Sequence, residues 1–170
     1  MLNIGRSAVF QNADTRRTGT EASLSYAVFQ GLDVSFAYTY ADFTFERFVP
    51  TPAIEGNRLP GQPEHQFYAE VAYTHPSGLY AVSDMLHVDE VYADNRNTAE
   101  YGACHVANLR FSRDFTFGPW GVSPFFGSNN VFNEVYNQNV IFNAAANRYF
   151  EPAPDRYAYR GLTARYRFQG

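Results

Sequence analysis

Leu32-Asp33-Val34-Ser35-Phe36-Ala37-Tyr38-Thr39-Tyr40 decides the fold of this chain. Every even position is large and apolar or aromatic. Every odd position is small or polar. Strict alternation of this kind makes a β-strand with one apolar face, because successive side chains point to opposite sides of the pleat. A helix would spread the same large residues around its whole surface.

The pattern recurs on both sides of that stretch. Thr20, Ala22, Leu24, Tyr26 and Val28 oppose Glu21, Ser23, Ser25 and Ala27. Phe67, Ala69, Val71 and Tyr73 oppose Tyr68, Glu70, Ala72 and Thr74. Ala107, Leu109 and Phe111 oppose Asn108, Arg110 and Ser112. Leu162, Ala164, Tyr166 and Phe168 oppose Thr163, Arg165 and Arg167. The spacing predicts strands over 15–28, 32–47, 65–75, 79–92, 102–115, 120–132 and 155–168, with a weaker one over 2–10, about eight in all.

The connections alternate in length. Gln30-Gly31, Pro76-Ser77-Gly78 and Phe117-Gly118-Pro119 are tight turns, whereas 48–64, 92–101 and 133–154 are long and polar. Short turns at one end and long loops at the other are the arrangement of outer-membrane β-barrels. The expected fold is therefore all-β, an antiparallel transmembrane β-barrel segment with short periplasmic turns and long extracellular loops. Glu21, Glu70, Arg110, Arg165 and Arg167 are expected to face the lumen. Aromatic rings settle at the headgroup level. One belt is expected from Tyr38, Tyr40, Phe43, Phe45 and Phe48, and a second from Phe115, Phe117, Trp120, Tyr166 and Phe168. Asp84 stands out, because it shares a register with the apolar Tyr80, Val82, Leu86 and Val88. Placed on a lipid face it calls for a bulge or a position near the rim.

Composition agrees. Of 170 residues, 45% are apolar, 18% charged and 18% aromatic, so the chain can fold but carries an unusual load of rings. The net charge of −4, with the arginines scattered, gives no sign of a nucleic-acid surface. No run of about 18 apolar residues exists, which excludes a helical span but not a barrel. Cys104 is the only cysteine, so no internal disulfide forms. Met1-Leu2-Asn3-Ile4-Gly5-Arg6 is not a secretory signal. Met1 is therefore expected to begin a fragment or a truncated reading frame of an exported protein.

Several short stretches, in order, resemble the C-terminal strands of TonB-dependent outer-membrane receptors of the siderophore type. They are Asn12-Ala13-Asp14-Thr15 with Gly19-Thr20-Glu21, then Arg58-Leu59-Pro60-Gly61-Gln62-Pro63-Glu64-His65, then Val91-Tyr92-Ala93-Asp94 with Asn97-Thr98. Asn108-Leu109-Arg110, Asn129-Asn130-Val131-Phe132-Asn133-Glu134-Val135-Tyr136 and Arg148-Tyr149-Phe150-Glu151-Pro152-Ala153-Pro154-Asp155-Arg156 follow, and the chain closes on Tyr166-Arg167-Phe168. The resemblance covers nearly the whole chain. It implies that residues 1–170 are the C-terminal part of a receptor barrel of about 22 strands whose lumen is plugged. The plug domain and the upstream strands would lie outside this sequence.

The resemblance further implies uptake across the cell outer membrane of a Gram-negative bacterium, with a ferric siderophore as the expected ligand. Outer-membrane lipid, the barrel-assembly machinery and, through the missing plug, the TonB complex are the implied partners. Arg58, Arg148 and Tyr149 are loop candidates for ligand contact. Tyr166 and Phe168 are candidates for the assembly signal, although the family usually ends on the aromatic and here Gln169 and Gly170 follow. No cofactor is implied. Two other readings stand beside it: a self-contained small outer-membrane barrel with a structural or adhesive role, and a soluble lipocalin-like binding barrel whose apolar face lines its inside.

No enzymatic site is expected. Ser83, His87 and Asp89 could share a strand face, but no oxyanion-hole glycine pattern accompanies them. His87 with Asp89 is too small a set to hold a metal and reads as polar residues at a strand end. His75 reads as part of a turn, and Cys104 as inert packing.

Overall fold

The computed structural model describes residues 13–145 and 148–168, so the strand expected over 2–10 lies outside the described residues. The elements are β1 (Ala13–Phe29), β2 (Leu32–Phe48), a 3-10 turn (Pro52–Ile54), β3 (His65–Thr74), β4 (Leu79–Val88), β5 (Val91–Tyr92) and β6 (Glu100–Tyr101). They continue with β7 (Cys104–Arg113), β8 (Phe115–Phe117), β9 (Trp120–Asn129), β10 (Asn137–Val140), β11 (Phe150–Pro152) and β12 (Tyr157–Tyr166). The main sheet runs β1-β2-β3-β4-β7-β9-β12, every pairing antiparallel, with β8 also on β9. Two small hairpins, β5-β6 and β10-β11, stand in the long connections.

Three expected strands end differently. The stretch 79–92 is interrupted after Val88, and Val91–Tyr92 pairs with Glu100–Tyr101 in a separate hairpin. The stretch 102–115 breaks at Asp114, whose amide donates to the Gly78 carbonyl at 2.8 Å. The stretch 120–132 stops at Asn129 because Asn130 takes a left-handed φ of 52°, a conformation asparagine tolerates better than most residues.

Cross-strand partners share a face, so the register assigns every side chain. One face carries Leu24, Phe36, Val71, Met85, Phe111, Phe126 and Leu162, a continuous apolar surface that stays exposed, Leu162 at 65%. The opposite face carries Glu21, Ser35, Glu70, Asp84, Asn108, Arg110 and Arg165. A register shift between Ala27 and Phe29 brings Phe29, rather than Val28, opposite Leu32 on the apolar face.

Asp84 corrects the sequence reading. The connection after Thr74 pairs it with Tyr80, which turns Tyr80, Val82, Asp84, Leu86 and Val88 to the polar side. No bulge is required. Asp84 stands opposite Glu70 and accepts from Asn108 Nδ2 at 2.8 Å. The apolar face of β4 is Ala81, Ser83, Met85 and His87. Arginines do sit on the apolar face: Arg113, opposite Leu79 at the short-turn end, and Arg160, opposite Phe126 and three residues into β12 from the long-loop end. From either depth the side chain reaches the interface at modest cost.

The belts are corrected in the same way. Trp120, Tyr166, Phe115 and Phe117 lie on the apolar face at the short-turn end, with Trp120 and Tyr166 rings 4.9 Å apart. At the other end only Tyr38 and Tyr40 do. Phe43, Phe45 and Phe48 occupy the opposite face. There Phe45 and Phe48 pack edge to face at 5.4 Å and bury against Ile54, with Leu59 beside them.

The polarity of the two faces thus exchanges along β2. Up to Tyr40 the apolar residues lie on the exposed face. Beyond it that face carries Asp42, paired with Arg16 at 3.3 Å, and the opposite face carries Ala41, Phe43 and Phe45. The nine residues from Leu32 to Tyr40 match the about 9–11 that a tilted strand needs to cross a bilayer.

Candidate functional site

The long connections do not lie apart. They fold together over the loop end of the polar side, and asparagine side chains hold them. Asn57 Nδ2 donates to the Asn95 carbonyl at 3.0 Å. The Asn95 amide donates to Asn143 Oδ1 at 3.1 Å, and Asn143 Nδ2 returns a bond to Asn95 Oδ1 at 2.9 Å. Asn97 Oδ1 accepts from the Arg58 amide at 2.8 Å while its Nδ2 donates to the Arg58 carbonyl at 3.0 Å. One residue each from three connections therefore meets at Asn95. Asn97 and Asn143 both hold left-handed φ values, 54° and 51°. A short side chain that can bond locally suits such turns.

Asp94 anchors the middle loop. Its carboxylate accepts from the Thr98 amide at 2.8 Å, the Ala99 amide at 3.0 Å and Thr98 Oγ1 at 2.7 Å. Burial opposes its charge, but these bonds outweigh burial and hold the carboxyl below its ordinary value. Asn130 does the same for the next loop. It is 2% exposed, donates to the Glu134 carbonyl at 2.8 Å and accepts from the Glu134 amide at 2.8 Å.

Three hollows open in this cluster. One of about 510 Å³ is lined by Arg17, Phe43, Phe45, Gln62, Asn95 and Asn143. A second, of about 440 Å³, has Asp94, Arg96, Thr98, Asn143 and Tyr149. The third, of about 470 Å³, is more apolar and lies over Leu86, Val88, Val106 and Cys104, under Tyr101 and Phe142. It explains why these strand ends are apolar on the polar side: they are roofed by loops. Asn143 joins the first two hollows, so a ligand there would meet Arg17, Arg96, amides and rings. Such a set suits an anionic chelate, through charge and hydrogen bonds to oxygen.

The sequence candidates are distributed unevenly. Tyr149 lines the second hollow. Arg58 does not reach it, because its guanidinium is ion-paired with Glu64 and lies 4.0 Å from Glu90. Arg148 is exposed beside Tyr149. Arg17, Arg96 and Asn95 were missed. The odd register of β1, continued back from Glu21 through Gly19, would have found Arg17. The Arg96 and Asn95 placements follow from loop folding alone. Tyr166 and Phe168 rings meet at 4.9 Å at the short-turn end, and Phe168 is 89% exposed. His75 is a turn residue, its Nδ1 bonded to Ser77 Oγ at 2.8 Å. Ser83 gives its hydroxyl to the Asn108 carbonyl at 3.2 Å. Cys104 is buried.

An antiparallel sheet with one exposed apolar face and one polar face, short turns at one end and packed loops at the other, is the wall of a transmembrane β-barrel. The chain belongs to the TonB dependent receptor-like, beta-barrel family, whose model matches residues 2–170. Among solved structures it is similar to the siderophore receptor PiuA from Acinetobacter baumannii, with a TM-score of 0.74 and 19% identity over 89% of this chain. It is also similar to the ferric citrate transporter FecA, with a TM-score of 0.76 and 19% identity over 89% of this chain. The ferric preacinetobactin receptor BauA from Acinetobacter baumannii gives a TM-score of 0.75 and 15% identity over 90%. These matches cover 22%, 24% and 22% of those chains, so this chain spans about a quarter of their length or less.

Proposed function

We propose that the chain forms the C-terminal wall of a receptor barrel in the outer membrane of a Gram-negative bacterium. The whole receptor would take up a scarce ligand, a ferric siderophore being the class best supported. Energy would come from the TonB complex acting on a plug carried elsewhere in the receptor. The family match over residues 2–170 carries this reading. The joined hollows with Arg17, Arg96, Asn143 and Tyr149 support an anionic chelate as the ligand. Arg148 flanks that site, and Arg58 supports it by fixing the loop. Tyr166 and Phe168 would present the exposed aromatic end to the barrel-assembly machinery. Outer-membrane lipid would cover the face of Leu24, Phe36 and Leu162.

A self-contained barrel would require β1 to pair with β12. Among the described residues the sheet runs from one to the other without that pairing. Unpaired strand edges are not tolerated in hydrocarbon. The isolated chain is therefore expected not to give a heat-modifiable β-rich monomer in detergent micelles. Obtaining one would revive the small-barrel reading. The uptake reading is tested by expressing the complete receptor in an iron-limited strain and measuring radiolabelled iron uptake across a panel of ferric siderophores. Arg17→Gln with Arg96→Gln is expected to abolish uptake of one of them while the barrel still folds. Unchanged uptake of every member would overturn the placement of the ligand.

A further inference from the structure

The apolar face carries an unusual group at its long-loop end. His65 on β3, His87 on β4 and His105 on β7 all lie on this face, with Asp89 just beyond β4. The Asp89 amide donates to the His65 carbonyl at 2.9 Å, which extends the β3-β4 ladder by one step. Glu64, His65 and Asp89 each offer one donor atom, and these atoms lie within 4.8 Å of one another. His87 Nε2 lies 4.0 Å from Asp89 Oδ1. In sequence Glu64-His65 and His87-Asp89 lie more than twenty positions apart; strand pairing brings the two pairs together.

We propose that Glu64, His65, Asp89 and His87 form a site for one divalent transition-metal ion of the zinc class. Two imidazole nitrogens and two carboxylate oxygens are a donor set such an ion accepts in tetrahedral geometry. Ligand atoms about 2.0–2.2 Å from one tetrahedral ion sit roughly 3.3–3.6 Å apart, so Glu64, His65 and Asp89, within 4.8 Å of one another, close on it by small side-chain rotations, and His87, 4.0 Å from Asp89, joins them by turning its ring.

The surroundings fix both rings for this role. His65 Nδ1 is bonded to the Tyr38 hydroxyl at 2.8 Å, which leaves Nε2 as the donor. The same ring lies 5.2 Å from that of Tyr40 and 6.1 Å from that of Tyr38. His87 Nδ1 is bonded to His105 Nδ1 at 3.1 Å with the rings stacked at 4.5 Å, which again leaves Nε2. Outer groups that occupy one ring nitrogen orient the other toward a metal. Arg58 opposes the site, since its guanidinium competes for Glu64. An ion bound here would bridge the β2–β3 connection, β3 and β4 at the edge of the apolar band. Nothing in it depends on the ligand that the receptor carries.

The test uses the complete receptor, assembled in detergent micelles, stripped with a chelator and titrated with Co²⁺. One equivalent is expected to survive desalting, with the intense visible absorption of tetrahedral cobalt and displacement by Zn²⁺. His65→Gln with Asp89→Asn is expected to remove it. Tyr38→Phe, which deletes only the hydroxyl, is expected to weaken binding about tenfold. Arg58→Gln is expected to tighten it, and His75→Gln, at the opposite end, to leave it unchanged. Heat-modifiable gel mobility checks the fold of each variant. Cobalt lost on desalting from the wild-type barrel would overturn the site, as would wild-type affinity in a folded Tyr38→Phe or double variant.

Discussion

The lower and upper halves of β2 follow opposite rules within one continuous strand. From Leu32 to Tyr40 the apolar side chains occupy the exposed face and Asp33, Ser35 and Thr39 the other. From Ala41 to Phe48 the charged Asp42 occupies the first face, and Phe43, Phe45 and Phe48 are turned to the second. Strand geometry does not change at Tyr40. What changes is the medium: hydrocarbon rewards apolar side chains on the outside, and water rewards them under the loops. The point of exchange is the edge of the band, and Tyr38 and Tyr40 mark it.

Three substitutions separate the two halves. Phe45→Ala removes a buried ring from the upper half and is expected to loosen the loop cluster by about 3–5 kcal/mol. Hydrogen exchange should rise over residues 49–64 while the lower sheet stays protected. A global loss of protection would show that the halves are not separable. Phe36→Arg in the lower half is expected to destabilise the inserted barrel by about 2–4 kcal/mol, read from urea titration in lipid vesicles. Ser35→Arg, one residue away on the polar side, should be nearly silent, and equal effects would break the face assignment.

Asp94→Asn is smaller, about 1–3 kcal/mol from weakened bonds to Thr98 and Ala99. The same loop should respond to acid. The Asp94 carboxyl is held below its ordinary value of 3.8, so its contribution is complete above that value and lost as the pH falls through the lower native one. Exchange of the Thr98 and Ala99 amides between pH 6 and pH 2 in the wild type and Asp94→Asn would show it, the variant lacking the acid limb. Arg16→Gln comes last. The Arg16–Asp42 pair is exposed, and a double-mutant cycle should give a coupling of at most about 1 kcal/mol.

The lower half was legible in the sequence because one strand face meets a single medium there, and alternation records it. The strands around Phe36, Val71, Leu109 and Leu162 were read from that signal alone. Register was legible only where the two faces differ strongly. In β4 both are partly apolar, Met85 and Ala81 on one side, Leu86 and Val88 on the other. The connection from Thr74 to Tyr80 set the pairing, and counting large residues placed Asp84 on the wrong face. Phe43 and Phe45 misled for a related reason, since a ring in sequence does not say whether lipid or a loop covers it. The site was less legible still. Arg17 could be reached by extending a register, but Asn95, Arg96 and Asn143 come together through loop-to-loop bonds that have no period. His65 and Asp89 needed the β3-β4 pairing to become neighbours.

The asparagine contacts at Asn95 also constrain how such a surface can be inherited. Each of three connections completes its hydrogen bonds on another, so none is a module by itself. Grafting the 49–64 segment from a relative would strand Asn95 and Asn97, and replacing the 130–156 segment would strand Asn95 from the other side. Engineers exchanging binding surfaces between barrels of this kind should move the three segments as one cassette.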